Sequence, residues 1–199
     1  MSPADPGASA APPGPVPPAI TAPRPDDVEA WFSDLGLTPF ERADRDGISS
    51  WDLIVDGRRR FDLRVTVILD PDLALICWAH YAPPIGDMFR KSYRRLLRWN
   101  DEFPFAKFSV GEDERPLLAV EVPIGAASAD QLGLALARIL GIADRLVDES
   151  KDWLWMGGRM PDHAGRSSAN AALLDRYAAR LPELLDAPGP PQLPDVAEA

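Results

Sequence analysis

The amino-acid sequence predicts an α+β fold in which a mainly antiparallel, five-stranded sheet carries helices on one face. Apolar and polar residues alternate along several short runs, which is the period of a half-buried strand. Turn signals join these runs, and strands joined by short turns pair antiparallel. Before, between and after them, apolar residues recur at helical spacing. The predicted order is α-β-β-β-α-β-β-α, followed by a C-terminal helical extension.

Proline content divides the chain. Nine of the 22 prolines lie before Asp26, and four follow Leu185. Such segments favour solvated polyproline II and bury too little apolar area to offset the entropy of ordering. We therefore predict a disordered Pro/Ala-rich tail at 1–25, a folded domain at 26–152, an extension with a helix at 153–185, and a disordered Pro-rich tail at 186–199.

The segment "PDDVEAWFSDLGLTP" predicts the first helix. Asp26 can cap its start, while Gly36 and Pro39 end it. One helical face carries the apolar residues Val28, Trp31, Phe32 and Leu35.

Three extended runs follow this helix. Asp56-Gly57 predicts a two-residue hairpin turn, because glycine tolerates the positive φ of a type I′ turn. The run from Phe61 to Leu69 alternates, so one of its faces should be buried. A turn at "DPD" leads into "LALICWAHYA", which is apolar on both faces. This third strand should be central, or its second face should be covered.

The stretch "GDMFRKSYRRLLRWNDEF" predicts the second helix. Its apolar face is Phe89, Tyr93, Leu96 and Leu97, with Asn100 beside them, and its basic face is Arg90, Lys91, Arg94, Arg95 and Arg98. Phe103 precedes a proline and is pushed out of the α region, so the helix must end by then. "FAKFSV" and "LLAVEVPI" then predict a second hairpin, and Ser128 with Gln131 predicts the capped start of a third helix.

The extension combines a large apolar cluster with a further helix. Trp153, Trp155 and Met156 form the cluster, and the helix runs from Ser168 to about Leu185. Its apolar stripe is Leu174, Tyr177, Ala178 and Leu181. We expect the extension to pack back on the domain as a lid over the second face of the sheet, with Trp153 or Trp155 against the sheet or the third helix.

Three stretches point to a family. "NDEFPFAKFSV", "LLAVEVPI" and the helix containing "LALARILGIADRL" resemble the YbjN family over roughly residues 26–152. The resemblance implies a bacterial protein with a fold like that of type III secretion chaperones. It also implies a non-enzymatic role in binding peptides or partner proteins, with no catalytic residues to carry over.

Composition narrows the possible functions. A net charge of −10 disfavours sequence-independent nucleic-acid binding. No apolar run is long enough to span a membrane, and the N-terminus lacks the basic start and apolar core of a secretory signal. Cys77 is the single cysteine, so an internal disulfide is impossible and a cytoplasmic location is the simplest expectation.

No catalytic, metal or cofactor site emerges from the sequence. Cys77 and His80 fall on opposite faces of a strand, so they cannot pair within it. Two histidines and one cysteine give no metal-ligand spacing. An enzyme would need a site assembled from scattered residues such as His80, Asp162 and His163. A small-molecule sensor with an apolar pocket beneath the last helix is a second alternative.

The favoured hypothesis is a non-catalytic, chaperone-like module that binds a peptide or partner protein and forms a homodimer. The candidate partner-binding residues are Arg94, Arg95, Arg98, Ile76, Trp78, Trp153, Trp155 and Met156. The arginines concentrate positive charge in an acidic chain, which suits an acidic partner or the acidic part of a second copy. Self-association is expected through a sheet edge or the Met88–Asn100 helix.

Overall fold

The computed structural model of the protein describes residues 22–84, 90–150 and 165–182. Its helices and strands are, in chain order, α1 (Pro25–Asp34), β1 (Glu41–Arg45), β2 (Ile48–Val55), β3 (Leu63–Asp70), β4 (Ala74–His80), α2 (Arg90–Glu102), β5 (Lys107–Val110), β6 (Pro116–Pro123), α3 (Ala129–Arg145), α4 (Val147–Ser150) and α5 (Ala171–Tyr177). All strand pairs are antiparallel, in the order β1-β2-β3-β4-β6-β5. The α+β class and the antiparallel sheet are confirmed, and β4 is central as predicted.

The sheet has six strands in the described residues, so the predicted five was wrong. The additional strand is β1, which pairs with β2 from Glu41↔Asp52 to Arg45↔Ile48. Its sequence "ERADR" is exposed at every position and shows no apolar alternation. Strand β1 therefore depends on backbone pairing at the sheet edge, which leaves no periodic signal in the sequence.

The two-residue hairpin turn lies at Asp46-Gly47 and not at Asp56-Gly57. Asp46 has φ 52° and Gly47 has φ 81°, which are the positive values that a type I′ turn requires. Residues 56–62 form a longer loop, in which the Gly57 N–H donates to the Arg60 carbonyl at 2.7 Å. We call residues 56–62 the arginine loop.

The core lies between one face of the sheet and the helices α1, α2 and α3. Val65, Val67, Leu75, Cys77 and Ala79 point into it and are completely buried. Helix α3 packs against β4 and β6, and α1 packs against α3. The apolar stripe predicted for α3 is buried throughout, at Leu132, Leu136, Ile139, Leu140, Ala143, Leu146 and Val147. We call this side of the sheet the inner face and the opposite side the outer face.

Helix α1 has the predicted apolar face but starts two residues earlier than expected. Arg24 is the N-cap residue and Pro25 the first helical residue. Asp27, rather than Asp26, closes the cap, because its carboxylate accepts the Arg24 N–H at 2.8 Å. Gly36 adopts φ 67° and ends the helix as predicted.

Helix α2 buries Trp99 where the sequence analysis expected Leu97. Trp99 is 1% exposed and Leu97 is 65% exposed. The Trp99 ring packs against Phe108 with centroids 5.0 Å apart, and its indole N–H donates to Glu149 at 3.2 Å. An amphipathic ring needs both an apolar neighbour and an acceptor, and this position supplies them. The predicted helix residues Met88 and Phe89 lie outside the described residues.

The junction between α2 and β5 is structural. The helix ends at Glu102, before Phe103-Pro104 as predicted. The Asn100 side-chain oxygen accepts the Phe108 N–H at 2.5 Å, and the Asn100 amide donates to the Phe108 carbonyl at 3.1 Å. Asn100 thus fixes the register between the helix and the new strand.

Helix α5 packs on α3 and not over the outer face. It is shorter than the predicted Ser168–Leu185 helix and continues as a 3₁₀ turn at Ala178–Arg180. Its buried residues are Leu173, Leu174 and Tyr177, followed by Leu181. The predicted positions of Trp153 and Trp155 lie outside the described residues, and the division of the chain into four segments stays a prediction.

Candidate protein-binding surface

The outer face is built by the residues that alternate with the core along each strand. Register places Thr66 of β3 opposite Trp78 of β4, and Trp78 opposite Ala119 of β6. A second cross-strand row carries Ile68, Ile76 and Glu121. No described helix packs on this face, because α1, α2 and α3 all lie on the inner face.

Trp78 lies at the centre of the outer face and is 39% exposed. Its cross-strand neighbours Thr66 and Ala119 are both much smaller, so the indole stands above them. Ile76 on the same strand is half-buried, and Ile54 of β2 is 50% exposed. Trp78 and Ile76 thus give this face an exposed apolar centre, and we take it as the candidate binding surface.

Charged and polar side chains border Trp78 on one side. Arg64 forms an ion pair with Asp52, and the Thr66 hydroxyl donates to the same carboxylate at 2.5 Å. His80 is half-buried on the same face, where burial and then the positive charge of Arg64 lower its pKa. This network fixes the side chains around the indole and offers both signs of charge to a bound segment.

The predicted partner-binding residues do not form one surface in the described residues. Arg94, Arg95 and Arg98 are exposed on α2, which packs on the inner face beside β5. Ile76 and Trp78 belong to the outer face, so the sheet separates the two groups. Trp153, Trp155 and Met156 lie outside the described residues.

The sheet also separates Cys77 from His80, two of the residues considered for catalysis. Cys77 points into the core, where burial raises the pKa of its thiol to about 12, while His80 is on the outer face. This confirms that the two cannot pair. Within residues 22–84, 90–150 and 165–182 no group of three or more His, Cys, Asp or Glu side chains is placed to hold a metal ion. Asp162 and His163 lie outside those ranges.

Asp144 is a structural centre that the sequence analysis missed. Its carboxylate accepts three backbone N–H groups of the arginine loop, from Arg58 at 2.7 Å, Arg59 at 2.8 Å and Arg60 at 2.7 Å. Burial raises the pKa of Asp144, and the three donors oppose that shift. A Cβ on Gly57 would lie 2.2 Å from the carboxylate, so close approach explains that glycine. The one signal was an aspartate within an apolar helical stripe.

A groove of about 380 Å³ lies beside α1. Its lining includes Phe32, Pro39, Phe40 and Trp51 together with Glu29. The Glu29 carboxylate accepts the Trp51 indole N–H at 3.2 Å and pairs with Arg42, and these contacts hold the pKa of Glu29 below its ordinary value. The groove is therefore mixed in character, with charge at its rim.

The described ranges contain no helix long and apolar enough to cross a membrane. A comparison with curated proteins finds no match. A comparison with family models matches residues 24–151 to YbjN, described as "Putative bacterial sensory transduction regulator". The match includes α1–α4 and the entire sheet. Because it spans well over half of the 199 residues, this chain belongs to the YbjN family.

Proposed function

We propose that the protein is a cytoplasmic, non-catalytic regulator that binds a segment of a partner protein on the outer face of its sheet. The family description names regulation and no reaction, which supports a binding role. The exposed Trp78 at the centre of the sheet carries the proposal.

Trp78 is the side chain that we expect to contribute most to binding. Tryptophan is among the residues that most often dominate binding energies, because a large rigid ring buries much apolar area with few torsions to fix. Burying the exposed part of this indole under a partner side chain would contribute on the order of 1–2 kcal/mol. Thr66 is small and half-buried, so it leaves room for that side chain beside the ring, whereas Ala119 on the other side is buried.

The side chains around Trp78 determine what kind of partner segment can bind there. An apolar side chain would stack on Trp78 and reach Ile76 on the same strand. A charged residue next to it would meet Arg64 or Asp52, which already form an ion pair. We therefore propose a short partner segment with an apolar anchor and a flanking charge, in place of a small molecule.

The proposal is tested by isolating partner proteins and then measuring their affinity for this chain. The tagged full-length chain is used to isolate partners from a lysate of the native host, and the recovered protein is purified and titrated by calorimetry. Trp78→Ala should weaken its binding about 30-fold, the effect of losing a hot-spot tryptophan worth about 2 kcal/mol. Leu97→Ala is the matched control, because Leu97 is exposed on α2, across the sheet from Trp78.

Two results would contradict the proposal. One is a purified partner that binds the wild type and Trp78→Ala equally well. The other is a loss of binding in Leu97→Ala that equals the loss in Trp78→Ala, which would place the partner on α2 instead.

A further inference from the structure

The segment 165–182 lies beyond the family match, which ends at residue 151, yet it is docked on the family domain. Helix α5 packs along α3, and four side chains of the segment reach the interior. The buried side chains are Leu173, Leu174, Tyr177 and Leu181, each at most 3% exposed. They follow one another at spacings of one, three and four residues, which is the anchor pattern of an amphipathic helix seated in a groove.

The surface of α3 on which α5 packs contains a slot shaped for an aromatic ring. A Cβ on Gly133 of α3 would lie 2.3 Å from the Tyr177 hydroxyl oxygen and 2.6 Å from two ring carbons. The tyrosine therefore rests directly on the backbone of α3, and only glycine permits that approach. A glycine inside a helix is otherwise unfavourable relative to alanine, so docking of the ring explains its presence.

Polar contacts lie on both sides of the surface on which α5 packs. Arg58 of the arginine loop pairs with Asp175 of α5 at 3.0 Å, and Asp130 of α3 pairs with Arg180 at 2.6 Å. Ahead of the helix, the Asp56 N–H donates to the Asn170 side-chain oxygen at 2.8 Å. We call the surface formed by Gly133, Asp130 and the arginine loop the α3 groove.

Helix α5 depends on the groove for its structure. It has seven residues, which is too short for a stable helix in water, so docking must hold it. Its ion pairs to Arg58 and Asp130 are well exposed to solvent, and such pairs contribute little. A longer partner helix with the same anchors would bury more apolar area than α5, and this gain is what allows it to displace the tethered segment.

We propose that the α3 groove is a second protein-binding site, which accepts an amphipathic helix of a partner and is closed in the free protein by α5. The partner helix carries two adjacent apolar residues, an aromatic ring three residues later for the Gly133 slot, and a carboxylate that reaches Arg58. Displacement of α5 couples partner binding to release of the C-terminal segment. This site is on the helical side of the sheet and does not depend on the outer-face proposal.

The probe is a fluorescent peptide with the sequence of residues 165–182, titrated into the full-length chain and followed by anisotropy. In the wild type α5 competes from the same chain at high effective concentration, so binding should be weak. The variant Leu174→Ala/Tyr177→Ala releases α5, and the peptide should bind it at least tenfold more tightly. Adding Gly133→Ala to this variant should remove the gain, because the new Cβ fills the slot. Circular dichroism verifies that each variant is folded.

Hydrogen exchange of the wild type measures the opening of α5 without any substitution. The amides of α5 should exchange at least tenfold faster than those of α3, because α5 opens while the domain stays folded. Equal exchange rates in the two helices would overturn the proposal. So would a released, folded variant that binds the peptide no better than the wild type, or that binds it equally well with Gly133→Ala.

Discussion

The carboxylate of Asp144 accepts the backbone N–H of Arg60 at 2.7 Å, although the two residues are 84 positions apart in the chain. This hydrogen bond joins the C-terminal end of α3 to the arginine loop between β2 and β3. The same loop binds the C-terminal segment through Asp56, whose carbonyl accepts the Ser168 hydroxyl at 2.9 Å. The arginine loop therefore connects the sheet, α3 and the C-terminal segment.

Replacement of Asp144 by alanine should strongly destabilise the protein. The substitution leaves the N–H groups of Arg58, Arg59 and Arg60 without their acceptor in a largely buried place. We expect a loss of about 2–4 kcal/mol in the free energy of unfolding, measured by urea denaturation. Asp144→Asn keeps one acceptor oxygen and should lose less.

Asp148→Ala is the control for charge alone. Asp148 pairs with Arg59 at 2.7 Å on the exposed side of the same region, so its removal should cost at most about 1 kcal/mol. Equal losses for Asp144→Ala and Asp148→Ala would show that the backbone hydrogen bonds of Asp144 contribute little.

Asn100 should determine the stability of the corner between α2 and β5. Asn100→Ala removes both side-chain hydrogen bonds to Phe108 and should cost about 1–3 kcal/mol. Asn100→Asp keeps the acceptor but loses the donor, so its stability should lie between the wild type and Asn100→Ala. Hydrogen exchange at the Phe108 amide measures the effect locally, and unchanged protection of that amide in Asn100→Ala would refute the assignment.

His80 should make the stability of the protein depend on pH in the range below 6.5. Burial, and then Arg64, lower its pKa from 6.5 in the folded protein, so the unfolded chain binds the proton more readily. The contribution of His80 is therefore complete above pH 6.5 and is lost as the pH falls through the folded pKa. The melting temperatures of the wild type and His80→Gln are measured from about pH 8 to about pH 5. As the pH falls, the melting temperature of the wild type should decrease more than that of His80→Gln. A difference that stays constant over this range would contradict the sign.

The elements that bury an apolar face could be predicted from the sequence. The elements that depend on contacts between distant segments of the chain could not. The core strands, the end of α2 before Phe103-Pro104 and the α3 stripe follow from local periodicity and backbone sterics. Strand β1 carries no apolar pattern, so only the type I′ turn at Asp46-Gly47 could have revealed it.

Contacts between distant segments also explain the wrong predictions at the candidate sites. Gly57 suggested a turn, but close approach of Asp144 explains it, and these residues are far apart in the chain. Leu97 and Trp99 lie about 200° apart around α2, so only one of them can face the core, and Trp99 does so together with Leu96 and Phe103. Trp78 was identified as a partner-binding candidate together with Arg94, but no sequence pattern could show that the sheet separates them.

The protein should form dimers that dissociate in salt. Arg94, Arg95 and Arg98 are exposed on α2 in a chain of net charge −10, and a second copy offers abundant acidic side chains. Charge reversal of the three arginines to glutamate should reduce the dimer fraction in light scattering, and the wild type should lose dimer as salt rises. A monomer mass for the wild type up to high micromolar concentration would dismiss the prediction. Dimers that persist in salt would assign the contact to apolar burial instead.

Site-specific photo-crosslinking from position 78 tests the central claim most directly. A benzophenone amino acid replaces Trp78 in the full-length chain, and a second protein carries it at Leu97, which is exposed on α2. We predict a crosslinked product of one defined mass from position 78 in cells of the native host. Position 97 should give no product of that mass, and only a product with the mass of a dimer of this chain, because Leu97 lies beside Arg98 on α2. If position 78 gave no crosslink, or if both positions gave the same products, the outer face would not be the binding surface.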